Sequence, residues 1–138
     1  MGLNLPIDLQ SVDPGLRLGD VGELANAVLY AGGMSTQNAI TASTTQSQAG
    51  GTKIYYAINR ITSANANDAI TLAFNADAGR SFVIINDSGQ TITIYPKSGD
   101  KINDAAIDAA VSIADNTVST YYCPVRLLWF GGAVTLET

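Results

Sequence analysis

Residues 84–103 of this chain read IINDSGQTITIYPKSGDKIN, and residues 111–123, after an Ala-rich step, read VSIADNTVSTYYC. Apolar and polar residues alternate over short runs, as at Ile92 and Ile94, and polar turns containing glycine separate the runs. This alternation is typical of half-buried β-strands joined by tight turns. The stretch therefore predicts a small β-module that packs and presents surface, with no catalytic group assembled in it.

The same pattern extends outward and predicts seven or eight strands. Phe82–Ile85 is apolar on both faces, so we expect a central, covered strand there. Asn86–Gly89 predicts a hairpin turn, and Ile102–Ala110 predicts either a helical turn or a loop. The predicted strands are Ile54–Asn59, Ile70–Phe74, Ser81–Asn86, Thr91–Tyr95, Val111–Ala114, Val118–Cys123, Arg126–Phe130 and Ala133–Leu136, the last two paired around Gly131 and Gly132. This spacing predicts a mostly-β fold, a single jelly-roll-like sandwich or barrel over residues 53–138.

The first 19 residues predict an extended N-terminal arm. Two prolines, Pro6 and Pro14, oppose a helix. Apolar residues alternate with other residues in a run that has no hairpin partner nearby. We expect this arm to dock on a neighbouring subunit through Leu3, Leu5, Ile7 and Leu9.

Residues 20–52 predict one short helix followed by a polar loop. Asp20 is a suitable N-cap for a helix over Asp20–Ala31, Glu23 follows three residues later as in a capping box, and two glycines stop the helix. Met34–Thr52 is rich in Ser, Thr, Gln and Ala, which favours a surface loop, with a polar extended strand as the alternative.

Composition excludes several classes of function. The chain of 138 residues is one domain in length. Only 14% of its residues are charged, against about 25% in ordinary soluble domains. Its net charge is −5 and its seven cations are scattered, so we expect no binding to nucleic acid or to an anionic membrane. No secretory signal or membrane-spanning segment is recognisable, which predicts synthesis in a reducing cytoplasm.

Catalytic chemistry is not expected. The chain has no histidine and one cysteine, Cys123, which we expect to be a buried small apolar residue. Asp100, Asp104 and Asp108 recur every four residues and on a helix would share one face, where they could bind calcium or act as acid and base. We interpret them as turn and solvated carboxylates, and predict no enzyme activity, no metal and no cofactor.

Aromatic side chains are the candidate contact residues. Neighbouring tyrosines on a strand point to opposite faces, so one of each pair is expected inside. Tyrosine and tryptophan are enriched at subunit interfaces, while an exposed cluster could also stack on sugars. The candidates are Tyr55, Tyr56, Tyr95, Tyr121, Tyr122 and Trp129.

The segment from about Arg80 to Gly132 resembles a module of small structural proteins of tailed bacteriophages. The resemblance rests on Asn-Asp-Ser-Gly at 86–89, the run at 94–103, Ala-Ala-Val-Ser-Ile-Ala at 109–114, an aromatic-Cys strand and the closing Trp129-Phe130. Such proteins include capsid decoration (cement) proteins and head or tail fibre proteins.

This resemblance implies a non-enzymatic virion protein at the capsid surface. It implies a homotrimer that binds the major capsid protein of the same virion and stabilises the shell. The alternative is a receptor- or glycan-binding head-fibre or tail module.

Overall fold

The computed structural model describes residues 34–135, and within them the chain is all β, without a helix. The predicted arm with Leu3, Leu5, Ile7 and Leu9, and the helix predicted at Asp20–Ala31, lie outside the described residues. The strands are β1 (Thr36–Thr41), β2 (Thr52–Ile54), β3 (Ile58–Ser63), β4 (Ala69–Leu72), β5 (Ser81–Asn86), β6 (Ile92–Tyr95), β7 (Lys101–Ile102), β8 (Val111–Ile113), β9 (Thr117–Val125) and β10 (Leu128–Thr135).

The chain first alternates between two sheets. A six-stranded sheet has the order β1-β3-β5-β9-β10-β7, and a four-stranded sheet has the order β2-β4-β6-β8. Strands β1, β3 and β5 are parallel, as are β2, β4 and β6. Ile70 pairs with Thr52 on the preceding strand and with Ile94 on the following one. The described part is therefore a β-solenoid-like coil of short strands, in which each circuit stacks on the one before.

The predicted jelly roll is wrong. A jelly roll is built from antiparallel strands in Greek keys, whereas the first six strands pair in parallel within their sheets. Asn86–Gly89 is not a hairpin turn, because β5 and β6 lie in different sheets. Instead, the buried Asn86 amide donates to the carbonyls of Gln90 at 2.8 Å and Ile113 at 3.1 Å. These bonds hold the chain in a corner that leads from one sheet to the other.

After β6 the coil ends in antiparallel strands. β8 pairs with β6, β9 with β5, and β10 with β9, while β7 adds a short parallel pair beside β10. The turn predicted at Gly131 and Gly132 is wrong, because β10 runs through both. The reversal is at Arg126 and Leu127, and Leu127 has a φ of 75°. A Cβ on Gly131 would lie 2.6 Å from Thr120 O, so this glycine permits close approach of two strands.

Strand β1 lies in Met34–Thr52, where the sequence favours a polar loop with a polar extended strand as the alternative, and at Thr36–Thr41 the structure has the strand. It pairs with β3, with Ile40 opposite Ile61, so the β-sheet begins before the predicted boundary at residue 53. The following turns cover the outer side of β4: the Thr71 hydroxyl donates to Gln48 O at 2.9 Å. As a result β4 is buried on both faces, although Thr71 faces away from the core.

The core lies between the two sheets. Ile70, Leu72, Ile92 and Ile94 are buried, as their alternation predicts. Phe82 stacks on Tyr121 with ring centroids 4.9 Å apart. The buried core residues are Ile40, Ala42, Ile54, Ile61, Ile70, Leu72, Ala76, Phe82, Ile84, Ile92, Ile94, Ile102, Ile113, Tyr121, Cys123 and Trp129.

Candidate interaction surface

Two exposed aromatic side chains lie side by side on the outer face of the six-stranded sheet. Tyr122 of β9 is 60% exposed and Phe130 of β10 is 45% exposed, and the two residues are paired across the strands. Their neighbours Tyr121 and Trp129 point into the core, so alternation places Tyr122 and Phe130 outward. Paired positions bring side chains to within about 5 Å of each other. They form a continuous apolar surface.

Two further exposed tyrosines line a groove that reaches Ser81, the strand neighbour of Tyr122. Tyr55 and Tyr56 follow β2, are both exposed, and line a groove of about 290 Å³ together with Arg80 and Ser81. Ser81 is in turn paired with Tyr122. We call Tyr55, Tyr56, Tyr122 and Phe130 the aromatic strip.

A second apolar area lies at the β9–β10 hairpin. Ile107, Val125 and Leu127 are exposed and line a groove of about 380 Å³, which also includes Lys101 and Arg126. We call it the hairpin groove. Large exposed apolar groups that cluster in this way mark contact sites more often than scattered ones do.

The edge of the six-stranded sheet beyond β10 is partly open. β7 pairs with Leu128 and Trp129 of β10. Next to this pairing, the side chain of Asn103 hydrogen-bonds to the β10 backbone as a neighbouring strand would. Its amide donates to Gly131 O at 3.1 Å, and its carbonyl accepts from Gly131 N at 3.0 Å. Within residues 34–135, no strand pairs with this side of Gly132–Thr135. An unpaired edge of this kind is a ready site for strand addition.

The structure separates the predicted contact residues into two groups. Tyr55, Tyr56 and Tyr122 are exposed, and Tyr95 is partly exposed with its hydroxyl donating to Gln46 O at 3.2 Å. The single strand predicted at Ile54–Asn59 is wrong, because residues 55–57 connect β2 to β3, and Tyr55 and Tyr56 are therefore both exposed rather than one inside and one outside. Two of the predicted residues belong to the core instead. Tyr121 is buried, which raises the pKa of its hydroxyl, and Trp129 is 0% exposed.

Four exposed residues were missed by the sequence analysis. Phe130 could have been found from its position next to Trp129, because adjacent residues in a strand face opposite ways. The hairpin residues Ile107, Val125 and Leu127 carry no such signal, since their exposure depends on where the chain turns.

The side chains of Asp100 and Asp108 bond to the backbone rather than to one another. Asp100 is buried and accepts from Ala76 N at 2.8 Å, which anchors the segment to the connection between β4 and β5. Asp108 accepts from Gly99 N at 2.7 Å and from the Gln48 amide at 3.1 Å. These bonds, led by the one from Gly99, lower the pKa of Asp108 below its ordinary value of 3.8. Among the described residues, no three His, Cys, Asp or Glu side chains lie close enough together to hold a metal ion.

Cys123 is a core residue. Its side chain is buried, and its thiol donates to Val125 O at 3.2 Å. Burial raises the pKa of the thiol. The described part of the chain therefore keeps this cysteine in the unreactive thiol form at neutral pH.

Comparison with protein-family models, with characterised proteins and with solved structures gave no match for the chain. The part of the chain from residue 34 to residue 135 contains no helix long and apolar enough to cross a membrane.

Proposed function

We propose that this protein is a structural component of a tailed-bacteriophage virion, and specifically a capsid decoration protein. It binds the major capsid protein on the outside of the shell and assembles there as a homotrimer. The observation that carries the proposal is the aromatic strip, an exposed apolar surface on a stable sheet. The resemblance of residues 80–132 to such virion modules supports the same assignment.

The physical argument for a contact role rests on what the strip exposes. Tyrosine and phenylalanine are the residue types that protein interfaces favour, and charged residues are the types they avoid. Strands β9 and β10 carry no charged residue over their whole length. Covering Tyr122 and Phe130 would therefore bury apolar area without desolvating a charge on these two strands.

The low charge of the chain suits repeated contacts on a symmetric shell. Individually weak contacts add up when one subunit touches several neighbours. In this proposal the arm with Leu3, Leu5, Ile7 and Leu9 adds a strand to a neighbouring subunit or to the shell protein. The trimer and the shell partner follow from the resemblance.

The copy number in purified particles tests the proposal most directly. Quantitative mass spectrometry against the major capsid protein should give hundreds of copies in a simple ratio to that protein. A count of a few to a few dozen would place the protein in a fibre, vertex or tail and would contradict decoration of the whole shell.

Substitution in the aromatic strip tests which surface is used. The double variant Tyr122→Ser with Phe130→Ser should lose shell attachment while keeping its urea unfolding midpoint close to wild type. The matched control is Ile107→Ser with Leu127→Ser, which removes exposed apolar groups from the hairpin groove. Equal attachment by both double variants and the wild type would exclude the strip as the docking surface.

Deletion of residues 1–19 tests the arm separately. We expect this shortened chain to fold but to bind the shell much more weakly. Unchanged binding would remove the arm from the proposal.

A receptor- or glycan-binding head-fibre or tail module is the second candidate function. It is favoured by Tyr55, which is 67% exposed and borders two grooves at once. An exposed ring is a stacking surface for a sugar. Binding of saccharides to the purified protein, together with a low copy number, would favour this candidate over decoration.

A further inference from the structure

A groove of about 420 Å³ lies where three parallel strands of the four-stranded sheet end. Lys53 and Tyr55 come from the end of β2, Thr71 and Leu72 from β4, and Lys97 follows β6. The lining residues are Gln48, Ala49, Lys53, Tyr55, Thr71, Leu72, Ala73, Lys97 and Ser98. This volume is within the range of small-ligand sites and suits one or two sugar rings.

The groove concentrates positive charge in an acidic protein. It contains two of the three lysines of the chain, although the net charge is −5. Among residues 34–135, no carboxylate lines the groove. Asp108 is bonded to Gln48 but does not itself line the groove.

Backbone carbonyls position both ammonium groups, and each ammonium group has at least one N–H donor that bonds to none of the described residues. Lys53 Nζ donates to Gln48 O at 3.1 Å and to Ala49 O at 3.4 Å, and Lys97 Nζ contacts Ala73 O at 3.5 Å. An ammonium group has three N–H donors. Lys53 therefore retains one donor for a ligand and Lys97 retains two. No carboxylate among the described residues forms an ion pair with either lysine.

The aromatic and apolar parts of the groove complement these charges. Tyr55 presents an exposed ring, and Leu72 and Ala73 add an apolar lining. The Ser98 hydroxyl can donate or accept. The groove offers a ring face for C–H groups, hydroxyls for hydrogen bonds and two ammonium groups for an anion. Together these groups match one ligand class, a sugar that carries a negative charge.

We infer that the groove of Lys53, Tyr55 and Lys97 binds an anionic saccharide, with its sugar ring on Tyr55 and its carboxylate or sulfate between the two lysines. This inference rests on the second candidate function and deepens it; the groove shares Tyr55 with the aromatic strip, but neither Lys53 nor Lys97 belongs to the strip. The sequence alone does not indicate this site. Lys53 and Lys97 are 44 positions apart in the chain and come together only because β2, β4 and β6 stack in parallel.

Titration of the full chain with three defined saccharides tests this inference. The probes are 3′-sialyllactose, lactose 3′-sulfate and uncharged lactose, measured by isothermal calorimetry or by ligand-observed NMR. We expect at least one of the two anionic probes to bind with a millimolar Kd, and lactose to bind about tenfold more weakly or not at all. Which anionic probe binds more tightly identifies carboxylate or sulfate as the preferred group. Binding should weaken as NaCl is raised, because salt screens the lysines.

Variants assign the binding to this groove. Lys53→Gln with Lys97→Gln should weaken the anionic probe about tenfold, and Tyr55→Ala should weaken it as well. The matched control is Lys101→Gln, which removes the remaining lysine from the hairpin groove and should leave the Kd unchanged. Absence of binding by both anionic probes, or a Kd that the double lysine variant does not change, would overturn the inference.

The two proposals can fail separately. Copy number on the particle does not depend on Lys53 or Lys97, so normal decoration without saccharide binding removes the groove and leaves the decoration role. Saccharide binding together with a copy number of a few dozen would support the groove and contradict the decoration role.

Discussion

Gly131 allows strands β9 and β10 to lie close together because it has no Cβ. It lies in β10 opposite Tyr121, and a Cβ there would meet the Tyr121 ring and, at 2.6 Å, Thr120 O. The neighbouring Gly132 has open space around its missing Cβ. The two adjacent glycines look alike in the sequence, so the pattern predicts one turn for both of them. Their different roles depend on which strand lies opposite.

This difference gives a matched pair of substitutions. Gly131→Ala should lower the free energy of unfolding by about 1–3 kcal/mol, because the backbone oxygen of Thr120 must shift. Gly132→Ala should stay within about 0.5 kcal/mol of wild type. Urea denaturation of both variants measures the difference. Equal destabilisation would contradict the close approach at Gly131.

Asp108 gives a prediction about pH. Its pKa is lowered in the folded protein by the Gly99 amide and by Gln48. When pH falls, the unfolded chain therefore binds the proton first, so the stabilisation is complete above the unfolded pKa and is lost as pH falls through the folded pKa. The difference in urea midpoint between wild type and Asp108→Asn should be constant near neutral pH and should shrink as the pH falls below about 5. A difference that grows in acid would reverse the assigned direction.

At the scale of single elements, strand positions were predictable and strand partners were not. The strand predicted at Ser81–Asn86 has those bounds in the structure, because Phe82 and Ile84 alternate with outward residues. That strand is central, as predicted, but its outer face is only partly covered. The hairpin turn predicted after this strand, at Asn86–Gly89, is wrong. A polar turn with glycine has the same local sequence in a hairpin and in a corner between sheets.

The corner at Asn86 can be tested through its side chain. The amide donates to Gln90 O, Ile113 O and Ala114 O, and its oxygen accepts from Ser88. Asn86→Ala should lower the free energy of unfolding by about 2 kcal/mol or more, since buried carbonyls lose their donor.

The control for this corner is Gln90→Ala. Gln90 is exposed and takes part in the corner through its backbone, so its truncation should cost less than about 0.5 kcal/mol. Chemical denaturation measures both variants. Similar midpoints for the two would show that the corner does not depend on the Asn86 amide.

At the scale of the whole molecule, the parallel coil could not be read from local patterns. Its pairings join residues one full circuit apart, such as Ile58 with Val83. Strand β1 was hidden for a second reason: five of its six residues are exposed, so it shows little apolar alternation. Three of the six candidate contact residues, Tyr55, Tyr56 and Tyr122, proved to be exposed. The grooves beside them depend on the coil and were not predictable.

The described part of the molecule depends little on ion pairs. Between residues 34 and 135 it contains two, Arg60 with Asp87 and Arg80 with Asp77, both on the surface. Exposed pairs contribute about 0–1 kcal/mol each. Raising NaCl from about 0.05 M to about 0.5 M should therefore change the free energy of unfolding by less than about 1 kcal/mol. A loss of several kcal/mol in urea titrations at the higher salt would contradict a fold held by its apolar core and sheets.

The reversal of direction at β9 limits how this architecture can grow. A parallel coil lengthens when another circuit is inserted, because each new strand repeats the direction of the last. Here β9 runs antiparallel to β5 and β8 antiparallel to β6, so both sheets are closed to a further parallel circuit on that side. On the opposite side, within residues 34–135, no strand pairs with the outer edge of β1 or of β2. In the described part of the chain, a duplicated parallel circuit can therefore be added beside β1 and β2 but not beyond β8 and β9.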